Sequence, residues 1–188
     1  KPESFTNKIH YRQGDLNTLT KKEFDLIKPD VFIHLAATFE RSNETYGFWD
    51  ENFINNIKLS HHLMSLAKES ENLKRVIFAS SYLIYSPSLY QFSKPSHNPY
   101  FLSENDPIAP RNLTGMAKHS HEIELDFLNK FPNLNFTSAS ARIFRGYGKG
   151  SRCVISRWIR SLINNDSITL YRPEGMFDYI YAEDAAEG

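Results

Sequence analysis

Thr114 and Lys118 stand four residues apart in "NLTGMAKHSHE" at 112–122, a spacing that sets both on one face of a helix. An ammonium beside an alcohol can hold a hydroxylated or anionic ligand, the lysine by charge and the threonine by a directed hydrogen bond. The pair lacks a proton acceptor, because an aliphatic alcohol ionises far less readily than a phenol. A second hydroxyl, Ser81, closes the apolar run "KRVIFASS" at 74–81, and Tyr85 follows it in an S-x-x-x-Y spacing. A serine in that place also serves as a turn former, and a lone helical lysine is ordinarily solvated.

The elements that must position these groups follow from periodicity. "KIHYRQGDL" (8–16) reads as a strand stopped by Gly14, with a short helix after it over "TKKEFDLI". "PDVFIHLAA" (29–37), apolar on both faces, reads as a buried central parallel strand, and "KRVIFASS" as another. The stretch 47–70 carries Phe53, Ile57, Leu63 and Leu66 at helical spacing. From Pro87 to Pro110 the chain is rich in Pro, Ser, Asn and Tyr, the composition of a long loop. "LTGMAKHSHEIELDFLNKF" (113–131) is a helix ended by Pro132, and "NFTSASARIF" (135–144) is a strand followed by the glycine-punctuated "RGYGKGS". "VISRWIRSLINN" (154–165) is an amphipathic helix, and "MFDYIYAEDAA" (176–186) runs from a strand into a helix. Strands alternating with helices imply an α/β fold with a largely parallel sheet.

Composition narrows the class. The 188 residues suit one domain with a sizeable core. Lys+Arg 22 balance Asp+Glu 22, which favours neither nucleic acid nor an anionic membrane as partner. A single cysteine, Cys153, excludes an internal disulfide framework and fits a reducing cytoplasm. No apolar run reaches the length of a membrane span, and "KPESFTNKIH" does not read as a signal peptide.

Five segments, in order, resemble the extended short-chain dehydrogenases of the NAD-dependent epimerase/dehydratase type: "GDL" at 14–16, "VFIHLAA" at 31–37, "KRVIFASSYLIYS" at 74–86, "ARIFRGYGKG" at 141–150 and "FDYIYAEDAAEG" at 177–188. The resemblance covers nearly the whole chain. It implies a Rossmann-like, doubly wound parallel sheet, with NAD or NADP as cofactor and a nucleotide-diphosphate sugar as substrate. It implies that Asp15 and Leu16 lie beside the adenine, Asp15 accepting from its amino group, although an aspartate after Gly14 is also a turn residue. Ala36 and Ala37 become the small residues at the carboxyl edge of the sheet, where open α/β folds bind ligands, or simply the packing surface of strand on helix. Asn52 matches an asparagine near the cofactor, with solvation on a helix surface as the other reading. Ser81 matches the Ser/Thr that bonds the reacting substrate oxygen. Lys118, within "P-x-N-x-x-G-x-x-K", matches the lysine that binds the nicotinamide ribose and lowers the pKa of the family's tyrosine.

The chain departs from the family at three places. Thr114 stands where the family has that tyrosine, whose free pKa of about 10 lets a nearby cation draw it towards neutrality. Losing such a positioned acid–base group costs roughly 10²–10⁴-fold. Three explanations fit: another base, with Tyr82, Tyr100 and His119 as candidates, a weak or inactive member that still binds ligand, or a substitution introduced to trap substrate. Phe177 occupies the place of an arginine that grips the substrate diphosphate in family epimerases. Arg145 stands where many members have an asparagine near that diphosphate, and is either the replacement charge or a surface arginine. The first strand, the glycine-rich turn and the second strand have no counterpart in these residues, so the sheet is expected to be incomplete and the chain to be the middle of a longer protein.

The expected organisation is a dinucleotide-binding part over residues 1–150 and the start of a substrate-binding region over 151–188. The expected function is a nucleotide-sugar epimerase, most like a 4-epimerase, with Ser81, Thr114 and Lys118 as catalytic positions. Tyr82 and Leu83 follow Ser81 where the dehydratase branch has acidic residues, which makes dehydration the weaker alternative. A ketoreductase or a non-catalytic dinucleotide- or nucleotide-sugar-binding protein are the others. Family members commonly pair into homodimers through the helices at 47–70 and 113–131, giving a four-helix interface. No metal site is expected.

Overall fold

Val76, Phe78 and Ser80 alternate with Ile77, Ala79 and Ser81 along β2 (Arg75–Ser81), and the first set is buried. Alternation sorts a strand's side chains onto two faces, and the register carries the sorting to its neighbours. β1 (Val31–His34) and β3 (Thr137–Ile143) pair parallel to β2, with Phe32 beside Val76, His34 beside Phe78, and Ser140 beside Phe78 on the other side. The sheet order is therefore β1-β2-β3, and the carboxyl ends of all three strands lie along one edge. This computed structural model describes residues 9–39, 44–92, 94, 98, 100–170 and 178–188.

Helices cover the face that carries Val76 and Phe78. α1 (Lys21–Ile27) starts at a reciprocal capping box between Thr20 and Glu23 and inserts Phe24 into the core. A long helical run then builds the layer: α2 (Trp49–Asn52), a π-helical segment over Phe53–Lys58, and α3 (Leu59–Ala67). Leu59, Leu63, Met64, Leu66 and Ala67 meet Phe24, Leu73, Val76, Phe78, Phe136 and Leu125, the last from α4 (Leu113–Leu128). The π turn brings Asn52 and Asn56 inward. Asn56 accepts from the Thr38 backbone N–H at 2.8 Å and donates to the Thr38 carbonyl at 2.9 Å, so it clamps the segment that leaves β1. Such π turns occur often at functional positions.

A two-stranded parallel ladder joins β4 (Arg145–Tyr147) to β5 (Tyr179–Tyr181), with α5 (Val154–Ile163) between them in sequence and α6 (Ala182–Glu187) after. This pairing escaped the sequence reading, which saw only glycine punctuation at 146–150.

Three expectations are corrected. Residues 9–13 form no strand, because no neighbouring strand among the described residues offers them a ladder. β1 lies at the sheet edge rather than in the centre, with Val31 49% and Ile33 54% exposed on the face the helices leave bare. Asn52 is not solvated on a helix surface: it is fully buried, and its Oδ1 accepts from Asn56 Nδ2 at 2.7 Å.

Candidate active site

A cleft of about 1900 Å³ opens at the carboxyl edge of the sheet. Ala37 comes from beyond β1, Ser81 from the end of β2, Ile143 from the end of β3, Arg145 from β4, and Thr114 and Lys118 from α4. Open α/β sheets take ligands at this edge because the strands end there and the loops diverge.

Close backbone packing fixes α4 against the cleft. A Cβ at Gly115 would fall 2.6 Å from the Leu83 carbonyl oxygen, so only glycine lets the first helical turn rest on the Tyr82–Ile84 turn. Ala109 N–H donates to the Ile84 carbonyl at 3.0 Å and leads the chain into the helix. Substituting Gly115→Ala should therefore destabilise the protein by about 1–3 kcal/mol through overpacking, although alanine in a free helix would gain about 1 kcal/mol over glycine. A urea midpoint unchanged or raised in that variant would contradict the contact.

Every donor at the start of α4 is satisfied. Asn112 Oδ1 accepts from Gly115 N–H at 2.9 Å, and the Asn112 carbonyl accepts from Met116 N–H. The remaining N–H groups, on Leu113 and Thr114, point to one carboxylate, Glu44, at 2.6 Å and 3.4 Å respectively. Thr114, 7% exposed, also donates its hydroxyl hydrogen to Glu44 Oε1. Glu44 lies 70 residues earlier in a loop; no periodicity or motif marks it, and the sequence reading missed it.

Lys118 lies one turn along. Its Nζ donates to the Ala79 carbonyl at 2.6 Å and sits 4.6 Å from the Phe78 ring centre. Burial pulls its ammonium down from 10.5 to about 8. Among the described residues no carboxylate forms an ion pair with it. A partly buried cation facing a cleft without a counter-ion suits a ligand rich in hydroxyls or negative charge. Ser81 Oγ accepts from Leu83 N–H at 3.2 Å and so caps the turn beside it. Arg145 Nε donates to the Tyr82 hydroxyl at 3.0 Å, which holds the guanidinium at the mouth of the cleft.

The structure thus gathers Ala37, Ser81, Thr114, Lys118 and Arg145 in one cleft, and Ala36 with Lys118 in a small adjoining void. It does not bring Asp15, Leu16 or Asn52 to the cleft wall. Asp15 caps a short turn by accepting from Asn17 N–H at 2.9 Å. Of the candidate bases, Tyr82 lines the cleft, whereas Tyr100 and His119 do not. The Tyr100 hydroxyl donates to Asp106 at 2.6 Å, a bond that raises its pKa. Tyr85 is buried and accepts from Arg142 of β3, which also binds Glu122 of α4, so this phenol is engaged with β3 and does not line the cleft. Phe177 lies outside the described residues. Among those described, no cluster of His, Cys, Asp or Glu could hold a metal, and no helix is long and apolar enough to cross a membrane.

The fold recurs in solved structures. MoeE5 in complex with UDP-glucuronic acid and NAD matches with 23% identity and a TM-score of 0.72, over 94% of this chain and 56% of that one. The UDP-N-acetylglucosamine 4-epimerase from Methanobrevibacter ruminantium M1 matches with 26% identity and a TM-score of 0.71, over 93% and 54%. The UDP-glucuronic acid 4-epimerase from Bacillus cereus matches with 22% identity and a TM-score of 0.72, over 92% and 51%. The chain spans about half the length of these structures. No curated protein sequence matches it. Residues 2–188 match the model of one family, and the chain belongs to the NAD dependent epimerase/dehydratase family.

Proposed function

We propose that the protein is an NAD(P)-dependent nucleotide-sugar epimerase of the 4-epimerase type. The observation that carries this reading is the convergence of Ser81, Thr114, Lys118 and Arg145 on one cleft at the carboxyl edge of the sheet. The Lys118 ammonium, with no carboxylate partner among the described residues, fits the ribose hydroxyls of a nicotinamide nucleotide, and Ala37 leaves space for its approach. Ser81 would bond the reacting sugar oxygen, and Arg145 the diphosphate. A nicotinamide bound there would supply a hydride acceptor and donor for the reacting sugar carbon. Asp15, Leu16, Ala36 and Asn52 are proposed for the cofactor side on the family pattern alone. Residues 1–150 would carry the dinucleotide, with the substrate region beginning at 151.

A homodimer and a reducing, cytoplasmic setting belong to the same reading. Ile54, Ile123 and Phe127 are exposed on the outer faces of the helices expected to pair.

The test uses the full-length protein with NAD and a panel of UDP-sugars, following interconversion of the sugar by NMR. Tight dinucleotide binding with turnover of a UDP-sugar supports the reading. Failure to bind any dinucleotide would overturn it. Binding without turnover would favour the non-catalytic alternative.

A further inference from the structure

The threonine that replaces the family's phenol is not alone, because its hydroxyl is already committed to a carboxylate. Thr114 Oγ1 donates to Glu44 Oε1, which leaves the lone pairs of the threonine oxygen to accept a hydrogen bond. Glu44 and Thr114 both line the cleft, with Ser81 and Lys118. Capping alone does not call for this arrangement. Asn112 caps α4 through Gly115 N–H, and the carboxylate contacts the Thr114 hydroxyl in addition to the backbone. A carboxylate accepts hydrogen bonds and protons through either oxygen, so an acceptor stands behind an alcohol that could not act as one.

We propose that Glu44 is the terminal proton acceptor of this site, reached through Thr114. The inference rests on the epimerase reading above. The substrate hydroxyl donates to Thr114 Oγ1. When the substrate C–H electron pair leaves as hydride for the oxidised nicotinamide dinucleotide, the electron pair of the substrate O–H bond becomes the second bond of the carbonyl. Its proton passes to Thr114 Oγ1, and the proton Thr114 carried moves to Glu44 Oε1. Alcohol, oxidised dinucleotide and carboxylate become ketone, reduced dinucleotide and carboxylic acid, so atoms and charge balance. Return of hydride runs the relay backwards.

The experiment compares full-length wild type, Glu44→Gln, Glu44→Asp, Thr114→Val and Thr114→Ser. For each, kcat and KM for a UDP-sugar are measured across pH 5 to 9, alongside dinucleotide affinity and melting temperature. Glu44→Gln should lower kcat roughly 10²- to 10³-fold while KM and dinucleotide affinity hold. The wild-type rate should fall on acidification as the carboxylate takes up a proton, and Glu44→Gln should lose that limb. Glu44→Asp and Thr114→Ser should recover part of the rate. Thr114→Val should match Glu44→Gln, and the double variant should be no worse than either, as for residues acting as one unit. An active wild type with kcat and pH profile unchanged in Glu44→Gln overturns the relay and leaves the epimerase reading standing. So does a rate loss tracking an equal loss of melting temperature that Glu44→Asp does not restore. A wild type that turns over no nucleotide sugar overturns both.

Discussion

Replacing Lys118 with methionine should make the protein more stable and at the same time weaken the dinucleotide binding proposed for it. The wild-type ammonium is drawn from 10.5 to about 8 by burial, a difference equivalent to ~3 kcal/mol of disfavoured charge at neutral pH. The sign follows from linkage. The folded pKa lies below the unfolded one, so between about pH 8 and 10.5 the unfolded chain holds a proton that the folded chain has released. Stability then rises with pH across that window, and below pH 8 the full penalty applies. Methionine keeps an unbranched apolar stem over Phe78 and removes the charge. Its melting temperature at pH 7 should rise by about 2–4 °C for each kcal/mol relieved, and the climb above pH 8 should vanish from its stability curve. The same change deletes a charged donor to ligand, a loss of roughly 10- to 100-fold in affinity, measurable by fluorescence titration. No gain in stability would mean that the Ala79 carbonyl and the Phe78 ring already compensate the buried cation.

That opposition between stability and binding shows what was legible in the sequence. Lys118 could be placed from spacing, because a helix fixes which residues share a face. Ser81 could be placed from the end of an apolar run. The strand at 75–81 and the helices at 113–128 and 154–163 follow from local periodicity, and the structure has them within a few residues of the expected bounds. What periodicity does not carry is partnership. Residues 9–13 have the composition of a strand and still make none, since a strand needs a neighbour to bond. β1 is apolar on both sides yet sits at an edge, for the same reason. β4 was missed because three residues with a glycine among them carry almost no pattern, and their pairing with β5 is a contact over more than thirty positions. Asn52 could be aligned to a motif, but its burial depends on a π turn that no propensity announces. Glu44 is the sharpest case. Its role depends on a loop meeting a helix terminus 70 residues away, and nothing in its own neighbourhood distinguishes it from a solvated glutamate.

Acidification should unfold the protein well above the pH expected of an ordinary α/β domain, with His34 as the principal cause. The ring is 2% exposed. Its Nε2 meets the Ser60 hydroxyl at 2.9 Å, and it stacks on Phe32, tilts against Phe78, and faces His121 edge-on at 5.5 Å. Among the described residues no carboxylate forms an ion pair with it. Burial first, then the nearby His121 and Lys118, lower its pKa from 6.5 to about 3. Below pH 6.5 the unfolded chain takes up a proton that the folded chain refuses, so stability falls with falling pH until about pH 3. The slope is about 1.4 kcal/mol per pH unit and the total ~5 kcal/mol, comparable to the whole stability of many domains. A His34→Gln variant keeps a hydrogen-bonding group towards Ser60 without a titrating proton. It should be somewhat less stable than wild type at pH 7 and more stable at pH 4.5, so that the two urea-midpoint curves cross. Parallel curves through that range would show that the acid lability comes from elsewhere, with the carboxylates at Glu122 and Glu124, which bind Arg142, His61 and His121, as the groups to examine next.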